Sequence, residues 1–309
     1  MNQPDAACDY HVHYHLDPCA HAEMTMPNIV AEARRLGLVE IGILKHYSRE
    51  LPNGQASWVF WKKIIAAQFE TFLAEFSAYP NEPGVRLFKG VETELVDDRG
   101  TVNISPADAD RLDMLVLSVH WLPRMEVAQV DPGLIPTDKF NESPPDLIAD
   151  WQRKIAACGP AALVENLVSA YVRAIAGNPR LGILGHLYDG LLPLRRYRVP
   201  VDELSDARLN ELMEPLMRAC AESGVLWELT AEPVARPSIL RRAQEMGVRF
   251  CATADAHFAQ TPGWANLWNH ARADDYVSQL GLRRGTLRFR SASGVRQDFP
   301  SMSRSFGGE

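Results

Sequence analysis

Paired cysteines are missing from this sequence. Its five, Cys8, Cys19, Cys158, Cys220 and Cys251, form an odd set with no CxxC spacing. That excludes a disulfide framework and a zinc site built on paired thiolates, and it predicts a reduced, cytoplasmic protein whose cysteines are small core residues. No apolar run reaches the roughly 18 residues of a membrane helix. The opening stretch MNQPDAACDY has no basic segment followed by an apolar one, so no secretory signal is expected. Basic excess is lacking too: 32 Lys+Arg stand against 39 Asp+Glu, a formal charge of −7. A stable nucleic-acid or membrane partner would need a basic face, so the expected partner is small. Repeats and low-complexity blocks are absent. With 46% hydrophobic and 23% charged residues, the 309-residue chain can bury a sizeable core.

What is present is an alternation of short apolar runs with helical patterns, the mark of β/α units. Strands are expected at about 9–15, 39–44, 85–95, 114–119, 181–185, 225–229 and 248–254. Helices are expected at about 26–36, 56–78, 106–112, 145–157, 161–176, 206–223, 237–246 and 263–273, the first with Thr25 as N-cap, Pro27 in its first turn and Gly37 at its end. Seven strands are one short of a (β/α)8 barrel, and an open doubly wound sheet is the competing layout. The barrel is expected over 1–282. A proline-rich excursion at 121–145 reads as a loop insertion, a lid or specificity wall. The tail 283–309 carries six arginines against Asp298 and Glu309 and reads as a surface wrap or a partly disordered end complementing an acidic body.

Four of the nine histidines fall within 11–21. His11 and His13, at i and i+2 on the first strand, share a face as a chelating pair. His46 ends the second strand, Glu92 the third, His120 the fourth and His186 the fifth, and Asp255 with His257 follows the last. Any one of them could be an ordinary turn residue. Six strands delivering His, Glu or Asp to one carboxyl edge, where β/α folds build their sites, point to a metal centre. His270 is left over and reads as a helix-surface residue.

DYHVHY followed by CAHAEMT, then KH, GVE, SVH, GH and ADAH, in order from Asp9 to His257, resembles the PHP (polymerase and histidinol phosphatase) phosphoesterases, in particular the histidinol-phosphate-phosphatase-like branch. The resemblance implies a distorted (β/α)7 barrel with two or three divalent metals at the carboxyl ends of the strands. It implies His11, His13, Glu92 and Asp255 on one metal, Glu92 bridging to a second held by His120 and His186, and His21, His46 and His257 on a third. Two positions depart from the family pattern. Lys45 stands where an acidic residue usually precedes the second-strand histidine, and the histidine after HxH comes two residues late, so His15 competes with His21 for the third metal.

Mixed imidazole and carboxylate donors suit Zn, Mn or Fe. Such a hydrolase would attack a small phosphomonoester, histidinol phosphate or a related metabolite, with a metal-bridging hydroxide. Asp255, His15 or a metal-bound water are the candidates for proton transfer to the leaving group. Lys45, Arg49, Arg124, Arg195, Arg196 and Arg236, in or beside the loops on that side, are candidates for holding phosphate. Two rivals stand beside this reading. An amidohydrolase-type enzyme cleaving a C–N or C–O bond also uses HxH and a final Asp, but it requires neither His21, His46 nor His257. A non-catalytic metal-binding module would be expected to lack ligands, and here all nine positions are filled.

Overall fold

The computed structural model describes residues 7–47, 66–80, 83–128, 137–232, 234–290 and 296–298. Seven parallel strands pair in sequence order: β1 (Cys8–His13), β2 (Glu40–His46), β3 (Arg86–Glu94), β4 (Met114–Ser118), β5 (Leu181–Leu184), β6 (Leu226–Leu229) and β7 (Phe250–Ala252). The seam between β7 and β1 is bridged just past β7. There the His13 amide donates to the Ala256 carbonyl at 2.8 Å, and the Ala256 amide to the His11 carbonyl at 3.0 Å. The result is a nearly closed (β/α)7 barrel rather than an open sheet.

The helices pack outside it: α1 (Met26–Leu36), α2 (Ala66–Ala78), the short α3 (Pro106–Ala109), α4 (Pro145–Cys158), α5 (Pro160–Gly177), the short α6 (Leu192–Arg196), α7 (Asp206–Ser223), α8 (Pro237–Glu245) and α9 (His270–Gln279). No single helix among the described residues is long and apolar enough to cross a membrane. Residues 56–65, expected to begin the second helix, lie outside the described residues. α1 runs as expected, closed by Gly37 in the left-handed region (φ 73°), although the Thr25 side chain makes no capping bond. The helix expected at 263–273 starts later, at His270. Asn266 takes its place with a local turn, its side chain accepting from the Gly263 amide at 2.7 Å and donating to the Thr261 carbonyl at 2.7 Å. Such side-chain bonds compete with helix formation.

Two apolar layers result. The larger lies between sheet and helices. The smaller fills the amino-terminal half of the barrel with Tyr10, Leu44, Phe88, Met114, Val116, Ile183, Leu226, Cys251 and Leu287. Leu287 belongs to the arginine-rich tail, so the tail does not begin as a surface wrap. The Phe250 amide donates to the Arg283 carbonyl and the Gly285 amide to the Phe250 carbonyl, and these bonds lead Leu287 into the barrel. The ends of the 121–145 excursion are likewise core: Trp121 and Phe140 are buried, and Phe140 stacks on Tyr197.

Candidate metal centre

The first strand carries an irregularity that aims the site. Its register against β2 shifts between Asp9 and Val12, and Asp9 holds the bend, accepting from the His11 amide at 3.0 Å and the Ala254 amide at 2.9 Å. Such a bulge re-aims side chains. Tyr10 faces the inner apolar layer while His11 and His13 point together at the barrel mouth, their Nε2 atoms 3.2 Å apart. Gly42 of β2 lets the bent strand approach, since a Cβ there would collide with the Tyr10 carbonyl.

Glu92 stands at the centre. Its Oε2 lies 3.5 Å from His11 Nε2, 3.4 Å from His13 Nε2 and 3.0 Å from His46 Nδ1. Its Oε1 faces the other way, 3.5 Å from His120 Nε2 and 2.9 Å from His186 Nε2. Asp255 Oδ1 closes the first group, 3.3 Å from His11 Nε2 and 3.2 Å from His13 Nε2. Metal–ligand bonds of about 2.0–2.1 Å put donors about 3.4 Å apart along a tetrahedral edge, close to these separations. His186 and Asp255 both adopt positive φ, 28° and 49°, conformations rare outside glycine that concentrate at functional sites.

A ring of groups that sequence reasoning missed turns the imidazoles inward. Glu228 Oε1 lies 2.8 Å from His11 Nδ1, Asp17 Oδ2 lies 2.8 Å from His13 Nδ1, and Glu94 pairs with His120 Nδ1. The Asp255 carbonyl takes His257 Nδ1 at 2.7 Å. Each outer partner presents Nε2 to the interior, as second contacts around metals do. Glu228 also accepts from Thr253 Oγ1 and from the His186 amide. A weak signal for Glu228 existed, a lone carboxylate in the apolar strand VLWEL, and for Glu94 its place two residues after Glu92, on the same face of the strand. Asp17 had none, being one more polar loop residue.

Burial disfavours charge on His11, His13, His46, His120 and His257, and the neighbours decide which resist. For His46 and His257 burial prevails, reinforced by repulsion from His13, and both fall to about 3. For His13 burial is outweighed by Asp17, Asp255 and Glu92, and for His120 by Glu94 and Glu92; each rises to about 9. His11 is lifted well above its ordinary value, as Glu228, Asp255 and Glu92 overcome burial. Burial would raise Glu92 and Asp255, yet the surrounding imidazoles hold both well below the usual carboxylate range.

The donors fit divalent ions on three grounds. Asp255 Oδ1 is buried and accepts no hydrogen bond. Donor atoms group as His11 with Glu92 and His186, as His11 with His13 and Asp255, and as His13 with Cys19, His46 and His257, each group within 4.8 Å. The same box encloses carboxyl groups of Asp9, Asp17, Glu92, Glu94, Glu228 and Asp255, which outnumber its cationic groups among the described residues, the Lys45 ammonium and the raised imidazoles of His11, His13 and His120, an imbalance that bound cations would relieve.

Several expected residues fall elsewhere. His21 is not in the third group: its side chain is 45% exposed and stacks on Phe258, while Cys19 occupies that ground. His15 turns to Glu75 of α2 at 3.2 Å. Lys45 is fully buried with Nζ 3.1 Å from Asp17 Oδ1, so it is committed to an internal pair rather than to phosphate. Arg195 is engaged by Asp189 and Asp202, and Arg236 by Asp206 and the Asp202 carbonyl. Arg124 is exposed, and Arg49 lies outside the described residues. Arg196 lines a small cavity of about 20 Å³ beside His186. His270 is 7% exposed rather than on the surface, its Nδ1 3.3 Å from Asp9 Oδ2 where α9 starts against β7.

No protein-family model matches the chain. Its sequence is similar to a protein named probable phosphatase from Caldanaerobacter subterraneus subsp. tengcongensis, 26% identical over 246 residues, which are 79% of this chain and 74% of that one. A second probable phosphatase, from Thermoanaerobacter sp., is 20% identical over 307 residues, 96% of each chain. Among solved structures, histidinol phosphate phosphatase of Lactococcus lactis subsp. lactis, complexed with zinc, L-histidinol and phosphate, superposes with a TM-score of 0.51 at 16% identity, over 94% of this chain and 99% of that one. A Listeria monocytogenes protein assigned as a histidinol phosphatase gives 0.57 at 14% identity, over 85% and 96%. The fold is thus the (β/α)7 barrel of these two solved structures, and its donor clusters fit metal binding. Together with the sequence relatives named probable phosphatase, they support a phosphatase, a hydrolase.

Proposed function

We propose that the chain hydrolyses a small phosphomonoester with the help of two or three divalent ions, Zn, Mn or Fe. The observation that carries the reading is Glu92, whose two carboxylate oxygens face two separate sets of imidazoles across one cleft. In this reading His11, His13, Glu92 and Asp255 hold one ion, and Glu92, His120 and His186 a second. When bound, the ions supply an acidified water and draw charge from the phosphoryl oxygen. The chain does the rest. Asp17, Glu94 and Glu228 keep the imidazoles in one tautomer and orientation. Asp255, held ionised, serves as a ligand rather than as a proton donor.

Arg196 stays a proposed phosphate contact because it borders the cavity beside His186. Histidinol phosphate is the first substrate to try, by analogy with the Lactococcus enzyme's complex. A reducing, cytoplasmic setting belongs to the same reading, supported by five free cysteines. The test is a kinetic screen of phosphomonoesters, phosphodiesters, lactones and amides on protein of measured metal content. Turnover of a phosphomonoester that ceases on chelation is expected. Turnover of amides or lactones alone would replace the phosphatase reading by the amidohydrolase one.

A further inference from the structure

We propose that Cys19, as a thiolate, joins His46 and His257 in holding a third divalent ion, in the role that sequence resemblance reserves for His21, and so makes this position thiophilic. The inference deepens the phosphatase reading and rests on it for the two ions around Glu92.

Donor atoms of His13, Cys19, His46 and His257 lie within 4.8 Å of one another, the three imidazoles buried and the thiol half-buried. Bonds of about 2.3 Å to sulfur and 2.0 Å to nitrogen place such donors about 3.5 Å apart around a tetrahedral ion. The widest separation in the cluster, at most 4.8 Å, leaves a short closing movement to reach that geometry. His13 Nε2 already faces Asp255 and Glu92, which leaves Cys19, His46 and His257 as three ligands with a fourth position open. Three protein ligands and one open position are the arrangement of catalytic rather than structural zinc. Binding exchanges the thiol proton for the ion, and the proton leaves to solvent. A thiolate among imidazoles favours Zn over Mn.

The chain path explains why the cysteine and not the histidine points inward. Asp17, within the longer loop after β1, is drawn into the barrel by Lys45 Nζ at 3.1 Å, by the His46 amide at 2.9 Å and by His13 Nδ1 at 2.8 Å. The Ala20 amide donates back to the Asp17 carbonyl at 3.1 Å. The resulting turn delivers Cys19 to the cluster, whereas His21 ends beyond it, its amide on the His257 carbonyl at 2.9 Å and its ring on Phe258. The two added residues thus change which donor arrives.

Full-length protein reconstituted with cobalt(II) provides the test. Wild type and His21→Ala should both show the ultraviolet thiolate-to-cobalt charge-transfer absorption, and Cys19→Ser should lose it. Zinc titrations should show the weakest-bound ion lost, or its affinity reduced more than tenfold, in Cys19→Ser alone. Matching thermal melts of the metal-free variants would separate ligand loss from misfolding. A wild-type protein that binds two or more cobalt ions and hydrolyses a phosphate ester without that absorption overturns the thiolate but not the phosphatase. Loss of the third ion on His21→Ala, with retention on Cys19→Ser, overturns it as well. A wild type that takes up no cobalt defeats both readings.

Discussion

The two ends of the barrel are built on the same seven strands and obey opposite rules. At the amino-terminal end Tyr10, Phe88, Met114, Ile183, Leu226 and Leu287 fill the lumen as an ordinary core. A few residues further along the same strands, the lumen holds imidazoles and carboxylates in close contact, with the buried Lys45 ammonium among them. The first arrangement stabilises by removing apolar surface from water. The second costs stability when no ion is present, because charged groups are desolvated and face like neighbours. Rigidity at one end is what lets the other hold an unfavourable constellation.

Substitutions at the two ends should therefore separate folding from metal binding. The largest effect is expected from Glu92→Gln, which removes the charge shared by both imidazole sets: phosphatase turnover should fall by about 100-fold or more, with loss of bound metal by elemental analysis, while the metal-free protein still melts cooperatively. Loss of the cooperative melt would break the comparison. Leu287→Ala should do the reverse, costing about 2–5 kcal/mol in denaturant unfolding while metal stoichiometry stays intact. It also measures how far the tail belongs to the barrel. Glu228→Gln keeps the packing and weakens the hold on His11, so metal affinity should fall by about 10–100-fold in a chelator competition. Unchanged affinity would mean that the outer carboxylates only fill space.

The smallest effect is in pH dependence. His13 and His120, raised from 6.5 to about 9 in the metal-free protein, contribute stability that is fully present below the unfolded value and lost as pH rises through about 9. Metal-free stability should therefore decline on the alkaline side. Metal affinity should climb over the same range, since each ion displaces protons from these rings. Calorimetry in buffers of different ionisation enthalpy would show the proton release. Stability and affinity moving in the same direction would contradict the assignment of charge to this end.

Much of this site was legible as sequence, for a definite reason. A parallel strand buried on both faces reads as a continuous apolar run, so a polar residue at its carboxyl end, such as His46 after IGILK or His120 after MLVLSV, stands out. The outer shell did not stand out. Asp17 looks like any loop residue until the fold sets it against His13 and Lys45, and Lys45 looks like a substrate contact until it is found buried. His270 was misread because helical spacing says nothing about Asp9, which lies far away in sequence. Leu287 was hidden in a stretch whose arginines dominate its composition.

Seven apolar strands in β/α order and the polar residues at their carboxyl ends can be read along the chain, because hydrophobic periodicity and strand-end chemistry are local properties. Which donors meet follows from packing in three dimensions. The bulge at Asp9, the inward pull on Asp17 and the turn that brings Cys19 in place of His21 all depend on contacts between distant segments, which no local pattern encodes.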